Sequence, residues 1–200
     1  MDSVMGILVG ISLAAACGFR VFVPLLVLAV ASRAGMVNLG ESLNWIGAWP
    51  AVIAFSVASI AEIVAYKVPW LDHALDTLAS PAAVIAGTIV AASQIGAIGN
   101  VDPFLQWSGA IIAGGGAAGA VQAASVGTRA VSTVGTAGVL NPFISAAQSL
   151  LSVVASILAI LAPIVAIIFL VVVLAVVLRL IFWLRKARAN RINRATPSIA

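Results

Sequence analysis

Two arginines stand inside apolar sequence and share a local pattern. Residues 6–20 and 115–129 both read G-x-x-x-G-x-x-x-A-A-x-x-G-x-R, so Gly18 precedes Arg20 as Gly127 precedes Arg129. An arginine at the centre of a transmembrane helix costs roughly 2.5–3.5 kcal/mol on insertion scales, and such residues normally face a partner or a water-filled cavity. The sequence therefore marks Arg20 and Arg129 as candidate functional residues.

The chemistry open to these arginines depends on what they face. Glu62 lies near the end of the second apolar segment and could form an ion pair with Arg20. Alternatively, Arg20 and Arg129 converge on an anion, because paired guanidinium groups suit carboxylate or phosphate. A third reading has the Arg20 side chain reaching the membrane interface. The candidate binding set is Arg20, Arg129 and Glu62, with Gly18 and Gly127 as the points where the helices open.

A second polar cluster consists of Asp72, His73 and Asp76. One histidine with two carboxylates could bind a metal or relay a proton. A solvated helix start outside the membrane is the favoured interpretation. The chain has no GxSxG, HExxH, phosphate-binding loop or CxxC pattern, so we expect neither an enzyme nor a bound metal or cofactor.

The composition identifies the class of protein. Hydrophobic residues make up 63% and charged residues 8% of the 200-residue chain, whereas a soluble domain carries about 25% charged residues. Apolar runs long enough to cross a bilayer recur along the sequence. We expect an all-α polytopic transmembrane helix bundle, located in the bacterial inner membrane as a multi-pass protein.

The positions of apolar runs and prolines predict about six spans. A first span, with Gly18 and Pro24 as points for a kink, is followed by a second that ends at Tyr66, and Pro81 begins a third. A small-residue segment forms the fourth, as a whole or broken helix inside the bundle. The last apolar stretch is read as two spans joined at Ala162 and Pro163, or as one span preceded by a re-entrant or surface-lying segment. The predicted ranges of the first four spans are 4–31, 46–66, 81–98 and 108–140.

The repeated pattern suggests an internal duplication. Residues 1–184 are expected to form one transmembrane domain with possible repeat halves 1–100 and 107–184. Three spans in each half would give the halves opposite topology, as in many secondary transporters whose sites lie where helices break. Six spans would also place both termini on the same side of the membrane, together with the charged loop that contains Lys67 and the neighbourhood of Arg129.

The end of the chain is basic. Residues 185–200 directly follow an apolar run, which favours a cytoplasmic tail by the positive-inside rule rather than a nucleic-acid-binding segment. The tail is expected to contact anionic lipids. Small-residue faces at Gly6 and Gly10, and at Gly115 and Gly119, could pack helices within the chain or in a homo-oligomer. The basic residues of the tail are Arg185, Lys186, Arg188, Arg191 and Arg194.

Three stretches resemble a known family: AAACGFRVFVPLL, EIVAYKVPWLDHALDTLASPAAVIAG and STVGTAGVLNPFISAAQSLLSVVASILAILAP. They are similar to the bacterial membrane proteins grouped as domain of unknown function 4126, over about residues 6–184. The resemblance implies a small polytopic membrane protein and carries no activity or site residues.

The arginines and the breakable spans lead to two hypotheses about function. The first is a transporter or channel for a small anion or an anionic lipid headgroup. The alternative is a structural or accessory membrane subunit without transport activity, since small-residue helix faces serve assembly equally well.

Overall fold

The fold is helical in the computed structural model of the chain. The model describes the backbone of residues 3–66, 69–136 and 138–195. Within those ranges, the side chains of residues 69–76, 180 and 184–195 are not described. A 3₁₀ segment (Glu41–Gly47) precedes α3, and a π-helical segment (Ala110–Gly115) leads into α6. The α-helices in the described ranges are α1 (Ser3–Cys17), α2 (Phe22–Arg33), α3 (Trp49–Ala65), α4 (Pro69–Gly96), α5 (Pro103–Gly109), α6 (Gly116–Thr136), α7 (Asn141–Leu161) and α8 (Pro163–Ala195).

The predicted all-α class is confirmed for the described residues, whose apolar helices are consistent with a membrane protein, but the expected number of six spans is not confirmed. Within the described part of the chain, four helical stretches are long and apolar enough to cross a membrane. A fifth span arises if the 3₁₀ segment and α3, bent by 61° relative to each other, are counted together. The four stretches are Thr77–Gly96, Pro103–Thr136, Asn141–Leu161 and Pro163–Trp183.

The missing span is the first one, because residues 3–33 form two short helices instead of one long one. Glycine is a poor helix former, and the chain leaves helical geometry between Cys17 and Phe22. At 15 and 12 residues, α1 and α2 are about 22 and 18 Å long, at 1.5 Å per residue. Neither covers the roughly 30 Å of a bilayer core.

The two short helices enter and leave on the same face of the bundle. Gly6, near the start of α1, faces the backbone of Gln94 at the end of α4. After α2, the backbone N–H of Gly40 donates to the carbonyl of Ser93, 2.8 Å away. Residues 3–33 are therefore a re-entrant hairpin whose turn, residues 18–21, lies inside the bundle. The predicted opening near Gly18 is present, but the two halves of the predicted first span form a hairpin instead of crossing together.

Helix α3 runs antiparallel to α2, and its last residues lie beside the turn at residues 18–21. At one end, the guanidinium carbon of Arg33 lies 4.0 Å from the ring centre of Trp49. At the other, the carboxylate of Glu62 accepts the backbone N–H groups of Val21 and Phe22. The end of α3 is thus held beside the turn of the re-entrant hairpin.

The direction of α1 follows from its packing on α4. Gly10 faces Gln94, and the carbonyl of Ala14 lies beside Gly87. Residue numbers rise along α1 as they fall along α4, so these helices are antiparallel.

The π-helical segment and α6 also run antiparallel to α4, as α1 does. Gly114 faces Ala91, and Gly119 faces Val84. Helices α1 and α6 therefore run in the same direction, whereas inverted repeat halves would require them to run in opposite directions. The helix directions do not support the predicted inversion.

Two predicted boundaries also differ from the structure. Helix α4 begins at Pro69 and continues through Pro81, so Pro81 does not start the third span. Helix α6 continues without interruption through Gly127 and Arg129. The expected helix opening occurs at Gly18 and not at Gly127.

The last two helices agree with the preferred prediction of two spans joined at Ala162 and Pro163. The polar side of α7 faces inward, with Ser145, Gln148 and Ser152 buried, which excludes a surface-lying segment. Since α6 crosses away from the face where α1 begins and α7 returns, α8 ends on the opposite face. The prediction that both termini share one face was therefore wrong.

Candidate functional site

Arg20 lies in the turn of the re-entrant hairpin and is 1% exposed. Its Nε donates to Ser149 Oγ at 2.9 Å, and Nη2 donates to the carbonyl of Ser145 at 2.8 Å and to Ser145 Oγ at 2.5 Å. Hydrogen bonds to charged groups contribute about 1.5–3 kcal/mol each. Together they offset an insertion cost of roughly 2.5–3.5 kcal/mol. The polar side of α7 is what allows this arginine to be buried.

Both arginines contact the same aromatic ring, that of Tyr66. The guanidinium carbon of Arg20 lies 4.0 Å from the ring centre of Tyr66, and that of Arg129 lies 4.7 Å from the same centre. Tyr66 follows the last turn of α3, where its backbone N–H donates to the carbonyl of Glu62. Each contact of this kind is worth about 0.5–2 kcal/mol. Residues far apart in sequence therefore form one compact cationic cluster.

Glu62 occupies the N-terminus of α2. Its Oε1 accepts the N–H of Val21 at 2.9 Å, and its Oε2 accepts the N–H of Phe22 at 3.1 Å. A helix N-terminus favours negative charge because its first N–H groups lack partners within the helix. Glu62 therefore holds the hairpin turn.

The two glycines of the repeated pattern have different surroundings. A Cβ at Gly18 would lie 2.5 Å from the carbonyl oxygen of Ala118 and 2.7 Å from the backbone nitrogen of Gln122, both in α6. A Cβ at Gly127 would lie 3.4 Å from the Cδ1 of Ile181, an ordinary contact. Only Gly18 is required by a close approach of two backbones.

Among the side chains that the structure describes, one carboxylate lies beside the arginine cluster. Those side chains include three carboxylates, and Glu41 and Asp102 are exposed where short helical segments begin. Glu62 is the remaining one and is buried near two buried guanidinium groups.

The predicted second cluster lies outside the described side chains. The backbone of Asp72, His73 and Asp76 belongs to α4, but their side chains are not described, and Lys67 is outside the described residues. The same holds for the side chains of the basic tail. No group of three or more potential metal ligands occurs among the residues for which side chains are described.

Two cavities adjoin the arginine cluster. The larger, of about 450 Å³, lies between α2, α3 and α4, and we call it the lateral cleft. A smaller cavity of about 180 Å³ lies between α6, α7 and α8, with Phe19 and Gln148 in its wall. Because Phe19 lines the smaller cavity and Val21 lines the lateral cleft, Arg20 belongs to the segment that separates them. The lateral cleft is lined mainly by Val21, Phe22, Ala58, Ala61, Glu62, Ala65, Tyr66, Leu78, Ala79 and Ala82.

Sequence reasoning missed three residues that hold the arginines: Tyr66, Ser145 and Ser149. Tyr66 had been placed only as the end of a span. Ser145, Gln148, Ser149, Ser152 and Ser156 lie three or four residues apart, which puts them on one side of a helix. A polar stripe of this kind on an apolar helix could have indicated a buried polar partner, and that partner is Arg20.

The model of the family described as Domain of unknown function (DUF4126) matches residues 7–183. No curated protein and no solved structure matches the chain.

Proposed function

This chain belongs to the DUF4126 family, and we propose that it is a membrane transporter or channel for a small anion or an anionic lipid headgroup. The observation that carries the proposal is the cluster of Arg20 and Arg129 on Tyr66, both arginines being at most 2% exposed. One described carboxylate, Glu62, accompanies them in the core. Guanidinium groups held close together suit a carboxylate or a phosphate, so an anion is the proposed ligand.

The position of Arg20 also supports an anion site. It stands at the turn between two half-length helices, next to the N-terminus of α2. Transporters commonly place anionic substrate groups at the N-termini of such discontinuous helices. Here the carboxylate of Glu62 already occupies that N-terminus. An incoming anion would bind the arginines and compete with Glu62 for the α2 amides.

The glycine faces favour packing within the chain over the alternative role in assembly. Gly6 and Gly10 face Gln94, while Gly115 and Gly119 face Val84, and both partners belong to α4. The surfaces on which a structural or accessory subunit was predicted are therefore covered by the chain's own helix. A homo-oligomer built through other surfaces stays a prediction.

The proposed location is the inner membrane, with the arginine cluster near the cytoplasmic face. The apolar part of α8, Pro163–Trp183, ends on the same face as the end of α3, and the basic residues follow it within the same helix. The positive-inside rule places that tail in the cytoplasm and allows it to contact anionic lipids. The beginning of α1 would then lie on the outer face.

The test is flux in proteoliposomes. Wild type, Arg20→Gln and Arg129→Gln would be reconstituted, and release of chloride, inorganic phosphate and a fluorescent anionic phospholipid would be followed. Arg33→Gln is the matched control, because Arg33 also lies 4.0 Å from an aromatic ring but is exposed. We expect at least tenfold slower flux in both core variants and unchanged flux in the control. Wild-type flux no higher than that of empty vesicles, for all three probes, would refute the proposal.

A further inference from the structure

The smaller cavity, between α6, α7 and α8, has room for a molecule the size of one aromatic ring. Its volume is about 180 Å³, whereas a dry apolar cavity of about 150 Å³ is enough to bind benzene. Ala147 lines the cavity and is exposed, and Val173 and Val177 in the α8 wall are half-buried. The cavity therefore opens sideways, at the apolar surface of the bundle. Its apolar lining residues are Phe19, Val121, Ala124, Ile144, Ala147, Leu151, Val173, Leu174 and Val177.

Three polar side chains interrupt this lining, and each already donates a hydrogen to a backbone carbonyl. Ser125 Oγ donates to the carbonyl of Gly18 at 3.2 Å, and Thr128 Oγ1 donates to that of Ala124 at 2.8 Å. Gln148 Nε2 donates to the carbonyl of Ser125 at 3.3 Å. A hydroxyl has one hydrogen but two acceptor lone pairs. What these residues can still offer to a molecule in the cavity is therefore mainly acceptor oxygens.

Among these oxygens, Oε1 of Gln148 has no donor in the part of the chain that the structure describes. The side chain of Gln148 is 5% exposed. The carbonyl of Ser125 fixes the orientation of the amide, because only its nitrogen end can donate to that carbonyl. Leaving a buried carbonyl oxygen without a donor is costly. A hydrogen-bond donor in the cavity would remove this cost.

The wall suits neither an ion nor water alone. None of the described lining residues is charged, so an ion would be buried without a counter-charge, which is unfavourable. A buried water needs about two to four polar partners and would leave the apolar wall unfilled. The rise along α7 from Asn141 to Ala147 is about 9 Å. The opening therefore lies at a depth where apolar molecules dissolve in a bilayer.

We propose that the smaller cavity binds a neutral, membrane-soluble molecule that carries a hydroxyl group on a small apolar body, such as a phenol. The hydroxyl donates to Oε1 of Gln148, and the apolar body packs against Phe19, Leu151 and the α8 wall. The molecule enters from the bilayer at Ala147. This site is separate from the proposed anion site and does not depend on the charge of its arginines.

The experiment uses the full chain in lipid vesicles and two photoactivatable probes of similar shape, para-azidophenol and para-azidotoluene. Only the first carries a hydroxyl donor. Labelled peptides are identified by mass spectrometry, and labelling of the cavity peptides is normalised to that of α3, which does not line the cavity. We expect the phenol to label the cavity peptides about fivefold more than the toluene, the factor expected of one hydrogen bond between neutral groups.

Three variants locate the site within the bundle. Ala147→Phe fills the opening, whereas Ala146→Phe adds the same ring at an exposed α7 position outside the cavity. Gln148→Leu removes the acceptor and leaves the wall apolar. We expect phenol labelling of the cavity peptides to fall at least fivefold in Ala147→Phe and to stay unchanged in Ala146→Phe. In Gln148→Leu it should fall to the level of the toluene probe.

Several results would overturn the inference. Equal normalised labelling by the two probes in wild type would assign the cavity to a purely apolar occupant, such as a lipid acyl chain, and not to a hydroxyl compound. Phenol labelling spread evenly over the lipid-facing helices, or equal cavity labelling in Ala147→Phe and Ala146→Phe, would show that the cavity binds no ligand. These comparisons decide the matter even if Gln148→Leu fails to fold.

Discussion

Residues 6–20 and 115–129 carry the same pattern of glycine, alanine and arginine, yet the first segment ends in the turn of a hairpin and the second is a continuous helix. In the first, the chain leaves helical geometry at Gly18, and Arg20 lies in the turn. In the second, Gly127 and Arg129 are ordinary helical positions. Both arginines nevertheless contact the ring of Tyr66.

The difference shows that a shared motif does not impose a shared backbone. After Gly18, the backbone N–H groups of Val21 and Phe22 donate to the carboxylate of Glu62. These groups therefore stay hydrogen-bonded although the first helix has ended. Opening α6 at Gly127 would expose backbone groups in an apolar environment, where each unsatisfied group costs several kcal/mol. The helix breaks only where a neighbour accepts the freed groups.

The largest expected effect comes from exchanging the two glycines for alanine. Gly18→Ala places a Cβ 2.5 Å from the carbonyl oxygen of Ala118 and 2.7 Å from the backbone nitrogen of Gln122. Ordinary overpacking costs about 1–3 kcal/mol, and a clash with two backbone atoms of α6 at once is expected to prevent the native packing of α1 on α6. Gly127→Ala meets only a flexible isoleucine and gains up to about 1 kcal/mol in helix propensity. Thermal unfolding in detergent should show a strongly lowered Tm for Gly18→Ala and an equal or higher Tm for Gly127→Ala. Equal losses of Tm in both variants would show that Gly18 is packed no more tightly than Gly127.

A second test removes the carboxylate of Glu62, which binds the turn at residues 18–21 and has no counterpart described at Gly127. Glu62→Gln keeps the shape of the side chain, but its NH₂ group then faces a backbone N–H. Breaking a buried charged arrangement by changing one partner typically costs about 3–5 kcal/mol. Glu41→Gln, at an exposed carboxylate, is the control. The free energy of unfolding should fall in the first variant only, and an unchanged value would mean that Glu62 does not hold the hairpin.

The ring shared by the two arginines can be tested with a pair of substitutions. Tyr66→Phe keeps both ring contacts, whereas Tyr66→Leu removes them. Two cation–π contacts of about 0.5–2 kcal/mol each give an expected difference of about 1–4 kcal/mol between the variants. Denaturant unfolding of both proteins would measure it. If the leucine variant is as stable as the phenylalanine variant, the ring does not couple the two segments.

The smallest expected effect concerns the serines of α7. Ser149 accepts a hydrogen bond from Arg20, while Ser156 donates only to the carbonyl of Ser152 in its own helix. Ser149→Ala should lower the free energy of unfolding by about 1.5–3 kcal/mol, the value of a hydrogen bond to a charged group. Ser156→Ala should lower it by less than about 1 kcal/mol. Indistinguishable unfolding curves would show that Arg20 does not depend on this bond.

Much of the architecture was predictable because lipid-facing helices need long apolar runs. The bundle class, the junction at Pro163 and the opening near Gly18 all follow from local composition. The re-entrant path of residues 3–33 did not, since an apolar hairpin and an apolar span have the same composition. Helix direction depends on which partners a segment packs against, and the sequence alone does not name them.

The candidate site, like the fold, was predictable only in part. The sequence by itself determined that Arg20, Arg129 and Glu62 are costly in a bilayer and therefore need partners, because the cost of burying a charge depends on residue type. Only the tertiary structure decided which partners they have: Tyr66 for both arginines, the α7 serines for Arg20, and the α2 amides for Glu62. Those contacts join segments more than a hundred residues apart in the case of Arg20 and α7, and they depend on helix packing that no local pattern encodes.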